Sequence, residues 1–224
     1  MDKQTPILKS QVTKRISDAP ASKVWTPSDF LDLGQRDAVD KTLQRMVNCH
    51  TLRRIDRGLY DQPRTNQLTG RTTVADYRSV IEAVGRRDQV RILPDGMTAA
   101  NDLGLTNAVP GQVIIHTDGR LRPIVLDNLT VQFKLTAPSK LFWAGRPAMR
   151  IVQSLYWLRD ELKSTDAADA SVISAKIGRM LADPNAALVR NDLAAGLYTL
   201  PSWMQNWIRE LLVNAKPSTK EVLH

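Results

Sequence analysis

The sequence predicts an α+β protein in two parts, a small helix-and-hairpin domain over residues 1 to about 65 and a larger α+β domain over residues 73–224. Three observations carry that expectation. Short apolar-periodic stretches at the N-terminus lead into two brief β-type runs on either side of Asp56, Arg57 and Gly58. Three strand-like runs between Gln112 and Thr136 are separated by Asp118-Gly119 and Asp127-Asn128. From Ala148 onward, apolar residues recur at helical spacing.

Residues Gln4 to Ser17 place Ile7, Leu8, Val12 and Ile16 on one helical face, and Asp18-Ala19-Pro20 ends the helix because proline cannot continue the hydrogen-bond ladder. "KVWT" is a candidate strand. Thr26-Pro27 joins an N-cap residue to a proline at the first helical position, so a short helix is expected there, stopped by Gly34. A second helix starts near Gln35, with Val39, Leu43, Met46 and Val47 on its inner face. "LRRI" and "LYD" read as strands joined by a turn at Asp56 to Gly58, where Gly58 can take positive φ, and Pro63 closes the domain. Helix, strand, helix, turn, helix, hairpin is the order of a winged helix-turn-helix.

"TNQLTGRT", residues 65–72, is polar and turn-rich and reads as a linker. Beyond it a helix is expected near Val74 to Val84 and a strand at "VRIL". The runs "QVIIHT", "RPIVL" and "LTVQFKLT" then read as a β-meander, with Asp118-Gly119 as a type I′ turn whose central residues both take positive φ. Four C-terminal helices follow in "MRIVQSLYWLRDEL", "SVISAKIGRML", "AALVRNDLAAG" and "WMQNWIRELLV", punctuated by Gly196 and Pro201.

The 224 residues carry a formal charge of +8 and a pI near 9.8, a balance that favours a polyanionic partner such as nucleic acid. Residues 1–64 hold 12 Lys plus Arg against 8 Asp plus Glu, and the other 160 hold 19 against 15, so the basic excess is densest in the first quarter of the chain. Cys49 is the only cysteine, which excludes an internal disulfide and a cysteine zinc cage and suits a reducing compartment. His50, His116 and His224 lack metal-ligand spacing, so no metal and no other cofactor is expected. With no apolar leader and no run of about 18 apolar residues, a soluble, cytoplasmic protein without a membrane partner is expected.

Catalytic signatures are missing: there is no Gly-rich phosphate loop, no paired histidines and no nucleophile motif, so the protein is expected not to be an enzyme and no catalytic residue is assigned. Asp160-Glu161 and Asp166 with Asp169 read as solvated carboxylates. Trp143, Trp157, Trp203 and Trp207 read as helix packing, and an exposed member would mark a protein-binding face.

The candidate binding residues lie on the second helix and the hairpin. At 100° per residue, Asp37, Lys41, Gln44, Arg45 and Asn48 turn outward, with Gln35 and Arg36 at the N-terminal tip. Gln and Asn can pair with adenine edges and Arg or Lys with guanine, which is the repertoire of base readout in a major groove. Asp37 and Asp40 also suit a solvated face in which they pair with Lys41 or Gln44. In the hairpin, Arg53, Arg54 and Arg57 fall within five positions and Arg64 follows Pro63, so phosphate contacts from a wing are expected. A solubilising charge cluster is the alternative. Leu59 and Tyr60 are expected to pack against the helices.

With these residues in place, the chain resembles the AbiEi-like antitoxins of bacterial AbiE-type (type IV) toxin–antitoxin systems. The resemblance is carried by "VWTPSDFLDLGQRDAVDKTLQRMVNCHTLRRIDRGLYDQPR", Val24 to Arg64, with its Thr-Pro start, Leu-Gly-x-Arg turn and Arg-Gly-Leu-Tyr wing, and continues through "LPDGMTAANDLGLTNAVPGQVIIHTDGRLRPI", Leu93 to Ile124. It implies a winged helix that binds inverted repeats in double-stranded operator DNA and represses its own operon. It also implies a larger domain that counteracts a nucleotidyltransferase-like toxin in phage defence, without a stable complex between the two. By position, the resemblance makes Gln35, Arg36 and Lys41 DNA-facing and gives Arg53, Arg54 and Arg57 to the wing. A small hydroxyl residue is usual where Gln35 stands, which implies a different operator preference.

Overall fold

The computed structural model describes residues 4–107, 111–163 and 167–214. Their architecture is mixed α+β, with two small sheets. They form two compact units, the first from residues within Met1–Ile92 and Thr117–Leu135, the second from residues within Leu93–His116 and Thr136–His224.

In the first unit, helix α1 (Gln4–Ser17) buries Leu8, Val12 and Ile16, while Ile7, expected on the same face, is 61% exposed. The Thr26-Pro27 start gives a single 3₁₀ turn, Pro27–Phe30, in place of an α-helix. The Asp29 carboxylate accepts from the Thr26 amide at 2.7 Å and from its hydroxyl at 3.0 Å, which closes the turn. Helix α2 (Arg36–Asn48) buries Val39, Leu43 and Met46 as its spacing requires, and Thr42 joins them by donating its hydroxyl to the Ala38 carbonyl at 2.7 Å. Strands β1 (Arg53–Asp56) and β2 (Leu59–Asp61) pair antiparallel, and Gly58 turns between them at φ +69°. The candidate strand "KVWT" contributes one rung, in which Trp25 and Tyr60 exchange amide-to-carbonyl bonds of 2.7 and 2.9 Å. Trp25 stacks on Phe30 with ring centroids 5.1 Å apart, and both are buried with Val12, Leu43 and Tyr60.

The segment read as a linker is folded back on itself. Thr65 and Thr72 form a bridge, the Arg71 carbonyl accepts from the Asn66 amide at 2.8 Å, and the Asn66 side chain accepts from the amides of Leu68 and Thr69. The boundary expected at residues 65–73 therefore falls inside the first unit. Helix α3 (Tyr77–Asp88), capped by the Asp76 carboxylate accepting from the Ser79 amide, belongs to that unit too.

Strands β3 (Ile92–Pro94) and β4 (Gln112–Thr117) follow, and then β5 (Ile124–Leu126) and β6 (Leu129–Leu135), which pair antiparallel across the Asp127-Asn128 turn with Asp127 at φ +55°. β5 does not pair with β4, so the expected meander reduces to a β5–β6 hairpin. The reason lies in Asp118-Gly119. Asp118 is held by the Arg91 amide and guanidinium, each at 2.8 Å, and neither Asp118 nor Gly119 takes the positive φ of a type I′ turn. Gly119 is needed for space instead, since a Cβ there would lie 2.5 Å from Val90 Cγ1.

The second unit is chiefly helical: α4 (Gly96–Asp102), α5 (Met149–Trp157), α6 (Arg159–Lys163), α7 (Ala167–Ala182), α8 (Ala187–Gly196) and α9 (Ser202–Asn214). Helix α4 was not expected from the sequence. Its Gly96 meets α5 at close range, where a Cβ would lie 2.8 Å from the Gln153 carbonyl oxygen. Trp143 is buried against Gly196, with Leu155, Ile177, Leu193 and Met204 completing the apolar centre. Trp203 and Trp207 are half-buried, and Trp157 is 39% exposed. Asp160 and Glu161 are exposed, whereas Asp166 and His224 lie outside the described residues. No helix among the described residues is long and apolar enough to cross a membrane.

Candidate nucleic-acid interface

Helix α2 divides its residues by period. With Val39, Thr42, Leu43 and Met46 turned into the core, Gln35, Arg36, Asp37, Lys41, Gln44, Arg45 and Asn48 are all exposed. The face is not a set of independent groups. Arg36 Nε lies 2.9 Å from an Asp40 carboxylate oxygen, and Gln44 Nε2 donates to the Asn48 side-chain oxygen Oδ1 at 3.0 Å. The Arg36–Asp40 pair is an exposed i, i+4 contact, worth only about 0.3–0.5 kcal/mol, so a stronger anionic partner can displace the carboxylate. Asp37 sits in the first turn, where its charge suits the helix dipole.

The four arginines of the hairpin region separate into two kinds. Arg53 Nε donates to Asp61 at 3.0 Å, a second guanidinium nitrogen reaches the other carboxylate oxygen, and the third donates to the Thr73 carbonyl at 2.9 Å. Hydrogen bonding to Asp61 raises the Arg53 pKa above its ordinary value, with burial opposing it and the carboxylate's charge adding to it. Arg53 is thus a brace inside the hairpin, its guanidinium paired with the Asp61 carboxylate. Arg54, Arg57 and Arg64 are exposed and have no carboxylate partner among the described residues. Leu59 and Tyr60 are buried, as expected.

Sequence reasoning missed the residues that frame this surface. A cleft of about 700 Å³ within the first unit is lined by Pro27 and Ser28, Arg36 at the tip of α2, Asp56 to Gly58 of the turn, Arg87 and Asp88 at the end of α3, and residues 120–123 of the loop after β4. Arg87 organises it by donating to the Asp88 carboxylate at 2.7 Å and to the Arg57 carbonyl, with Asp56 at 3.6 Å. Burial works against its charge, but Asp88 and Asp56 more than offset that and leave its pKa raised. Arg120 and Arg122 are exposed. Their alternation around Leu121, just after an Asp-Gly, was the available signal, but its relation to residues 36–58 depends on contacts far apart in sequence.

The arrangement of guanidinium groups can bind an anion. Among the described residues no group of three or more His, Cys, Asp or Glu is placed to hold a metal ion, and Cys49 is an exposed free thiol.

The chain matches no curated protein. A family model described as a family of unknown function, DUF6088, matches residues 11–181, and the chain belongs to that family. The matched span contains α2, the β1–β2 hairpin and every residue lining the cleft.

Proposed function

We propose that this member of a family of unknown function is a non-enzymatic antitoxin that binds operator DNA, represses its own operon and counteracts a nucleotidyltransferase-like toxin of a type IV system. In this reading the first unit carries a winged helix-turn-helix with α2 as the recognition helix and β1–β2 as the wing. The observation that carries it is the two-sided character of α2. One face buries Val39, Thr42, Leu43 and Met46, and the other offers Gln35, Arg36, Lys41, Gln44 and Arg45 to solvent, with Arg57 on the same cleft as Arg36. Arg54, Arg57 and Arg64 take the phosphate contacts, and Arg53 braces them. The antitoxin role and the toxin partner rest on the sequence resemblance alone.

The test is fluorescence anisotropy of the protein with its own upstream DNA and with a scrambled duplex at two salt concentrations. Tighter binding to the upstream DNA, weakening with salt on both duplexes, supports repression. Binding to neither sinks the DNA-reading role of α2.

A second reading has an observation of its own. In the second unit Tyr156, Trp157 and Tyr198 are 43%, 39% and 75% exposed, an aromatic content that suits a protein partner. Neutralisation of a toxin by direct contact then predicts a stable co-purifying complex that retains no operator DNA.

A further inference from the structure

We propose that the loop joining β4 to β5 is a second phosphate clamp on the DNA, in which Arg120 and Arg122 act with Arg36 and Arg57 to hold one stretch of duplex backbone. The proposal rests on the DNA-binding reading above and extends the interface to a loop about 55 residues beyond Arg64, the last of the candidate binding residues read from the sequence.

Charge comes first. The cleft is lined by five arginines and two aspartates. Both aspartates face Arg87, at 2.7 Å for Asp88 and 3.6 Å for Asp56, so these three groups largely satisfy one another. Arg57, Arg120 and Arg122 are left without a carboxylate among the described residues, and Arg36 holds only the exposed pair with Asp40. Four guanidinium groups around one concavity repel each other unless an anion sits among them.

The lining also says what kind of anion. No aromatic side chain lines the cleft, and its apolar members are Pro27, Leu121 and Pro123. A pocket for a free nucleotide or a single-stranded segment uses flat π-faces for the bases, and here there are none. Guanidinium forks without a stacking platform suit phosphodiester oxygens, which a duplex presents with its bases turned inward. The position agrees, since Arg36 stands at the N-terminal tip of α2, the end at which a recognition helix meets base edges beside the backbone.

The loop is anchored at its start. Asp118 is fixed by two bonds from Arg91, and Gly119 lies so close to Val90 that a Cβ would not fit. Leu121 is half-buried between the two arginines. The anchored start at Asp118-Gly119 and strand β5 at Ile124 bracket the two arginines, which limits the ordering cost of binding.

The experiment compares the full-length wild type with Arg120→Ala/Arg122→Ala and Arg120→Lys/Arg122→Lys, on the upstream duplex, a scrambled duplex of equal length and the corresponding single strand, from 0.05 to 0.2 M salt. Each phosphate contact contributes about 0.9 to the slope of log affinity against log salt, so the alanine variant loses about 1.8 from the slope and binds both duplexes roughly 30-fold more weakly at 0.15 M. The preference for the upstream duplex is unchanged, because phosphates carry no sequence. The lysine variant recovers most of the slope. Both residues are exposed, and circular dichroism verifies the folding of the two variants. Wild-type binding with an unchanged slope in the alanine variant overturns the clamp and leaves the DNA-binding reading standing. Loss of the upstream preference at constant slope also overturns it, by showing base contacts. Tighter wild-type binding to the single strand overturns the duplex assignment, and no wild-type binding to either duplex overturns both readings together.

Discussion

Replacing Arg53 with Ala separates the brace from the phosphate contacts. In the wild type, the Asp61 side chain is 9% exposed and Arg53 33%, and the two are joined by a bidentate pair, with a further bond from Arg53 to the Thr73 carbonyl. Removing one partner of a fully buried pair costs about 3–5 kcal/mol, because the other charge is left without compensation. One third of Arg53 is open to solvent, so water reaches the vacated space and the expected cost falls to about 2–3 kcal/mol. At a urea dependence of about 2 kcal/mol per molar this moves the unfolding midpoint by about 1–1.5 M. Hydrogen exchange of the β1 and β2 amides in the full-length protein places the loss in the hairpin. Arg53→Met/Asp61→Leu leaves no orphaned charge and is expected to recover most of the stability. Below the unfolding range, Arg53→Ala keeps the wild-type salt dependence of DNA binding, whereas Arg54→Ala/Arg57→Ala flattens it by about 1.8. A stability within about 0.5 kcal/mol of wild type, or a salt slope flattened by Arg53→Ala as much as by Arg57→Ala, refutes the division of labour drawn here.

Further outcomes are expected at four other positions. Arg87→Met removes the bond to the Arg57 carbonyl, so the amides of the Arg57-Gly58 turn exchange faster and DNA affinity falls with no change in salt slope, as befits a positioning residue. Gly196→Ala, in the last position of α8, is expected to destabilise the second unit by about 1–3 kcal/mol in place of the usual helical gain, because the new methyl meets the Trp143 ring. Gly111→Ala, with nothing within 4 Å, is expected to stay close to wild type in thermal unfolding. Asp118 has its pKa lowered, chiefly by the hydrogen bond from the Arg91 side chain and also by that from the Arg91 amide. A lowered folded-state value stabilises above the unfolded pKa of about 3.9 and is lost as pH falls through the folded value. The stability difference between wild type and Asp118→Asn is therefore level from pH 7 to about 5 and shrinks below about 4 in pH-resolved urea titrations.

What the sequence showed of this fold was local. The helical period of α2 gave Val39, Leu43 and Met46 of its buried face, because periodicity depends only on neighbours three and four positions away, but Val47 is only half-buried and the buried Thr42 was not foreseen. The Gly58 turn was legible for the same reason. Arg53 and Arg54 looked alike as letters, yet alternation along β1 puts Arg53 directly opposite Asp61 and leaves Arg54 in solvent. That distinction needed the register. Asp118-Gly119 looked like a tight hairpin turn, and what overrode it was Arg91, 27 residues away. Helix α4 escaped notice because it is seven residues long, too short for a period to repeat. Arg120 and Arg122 were invisible as site residues, since nothing near them in the chain mentions Arg36 or Arg57.

The first unit is interrupted in sequence, with residues 93–116 given to the second before Thr117–Leu135 complete it. The clamp arginines lie in that late-made portion. During translation the helix and hairpin of residues 1–65 emerge well before the segment that finishes their unit at Leu135, a gap of 70 residues. At about 5–20 residues per second that gap lasts roughly 4–14 s. Under the proposed DNA-binding reading, a nascent chain forms helix α2 before it has Arg120 and Arg122, and the complete set of cleft cations exists only once translation has passed Leu135. In that proposed reading, the order of assembly ties DNA binding to chains that have completed the first unit.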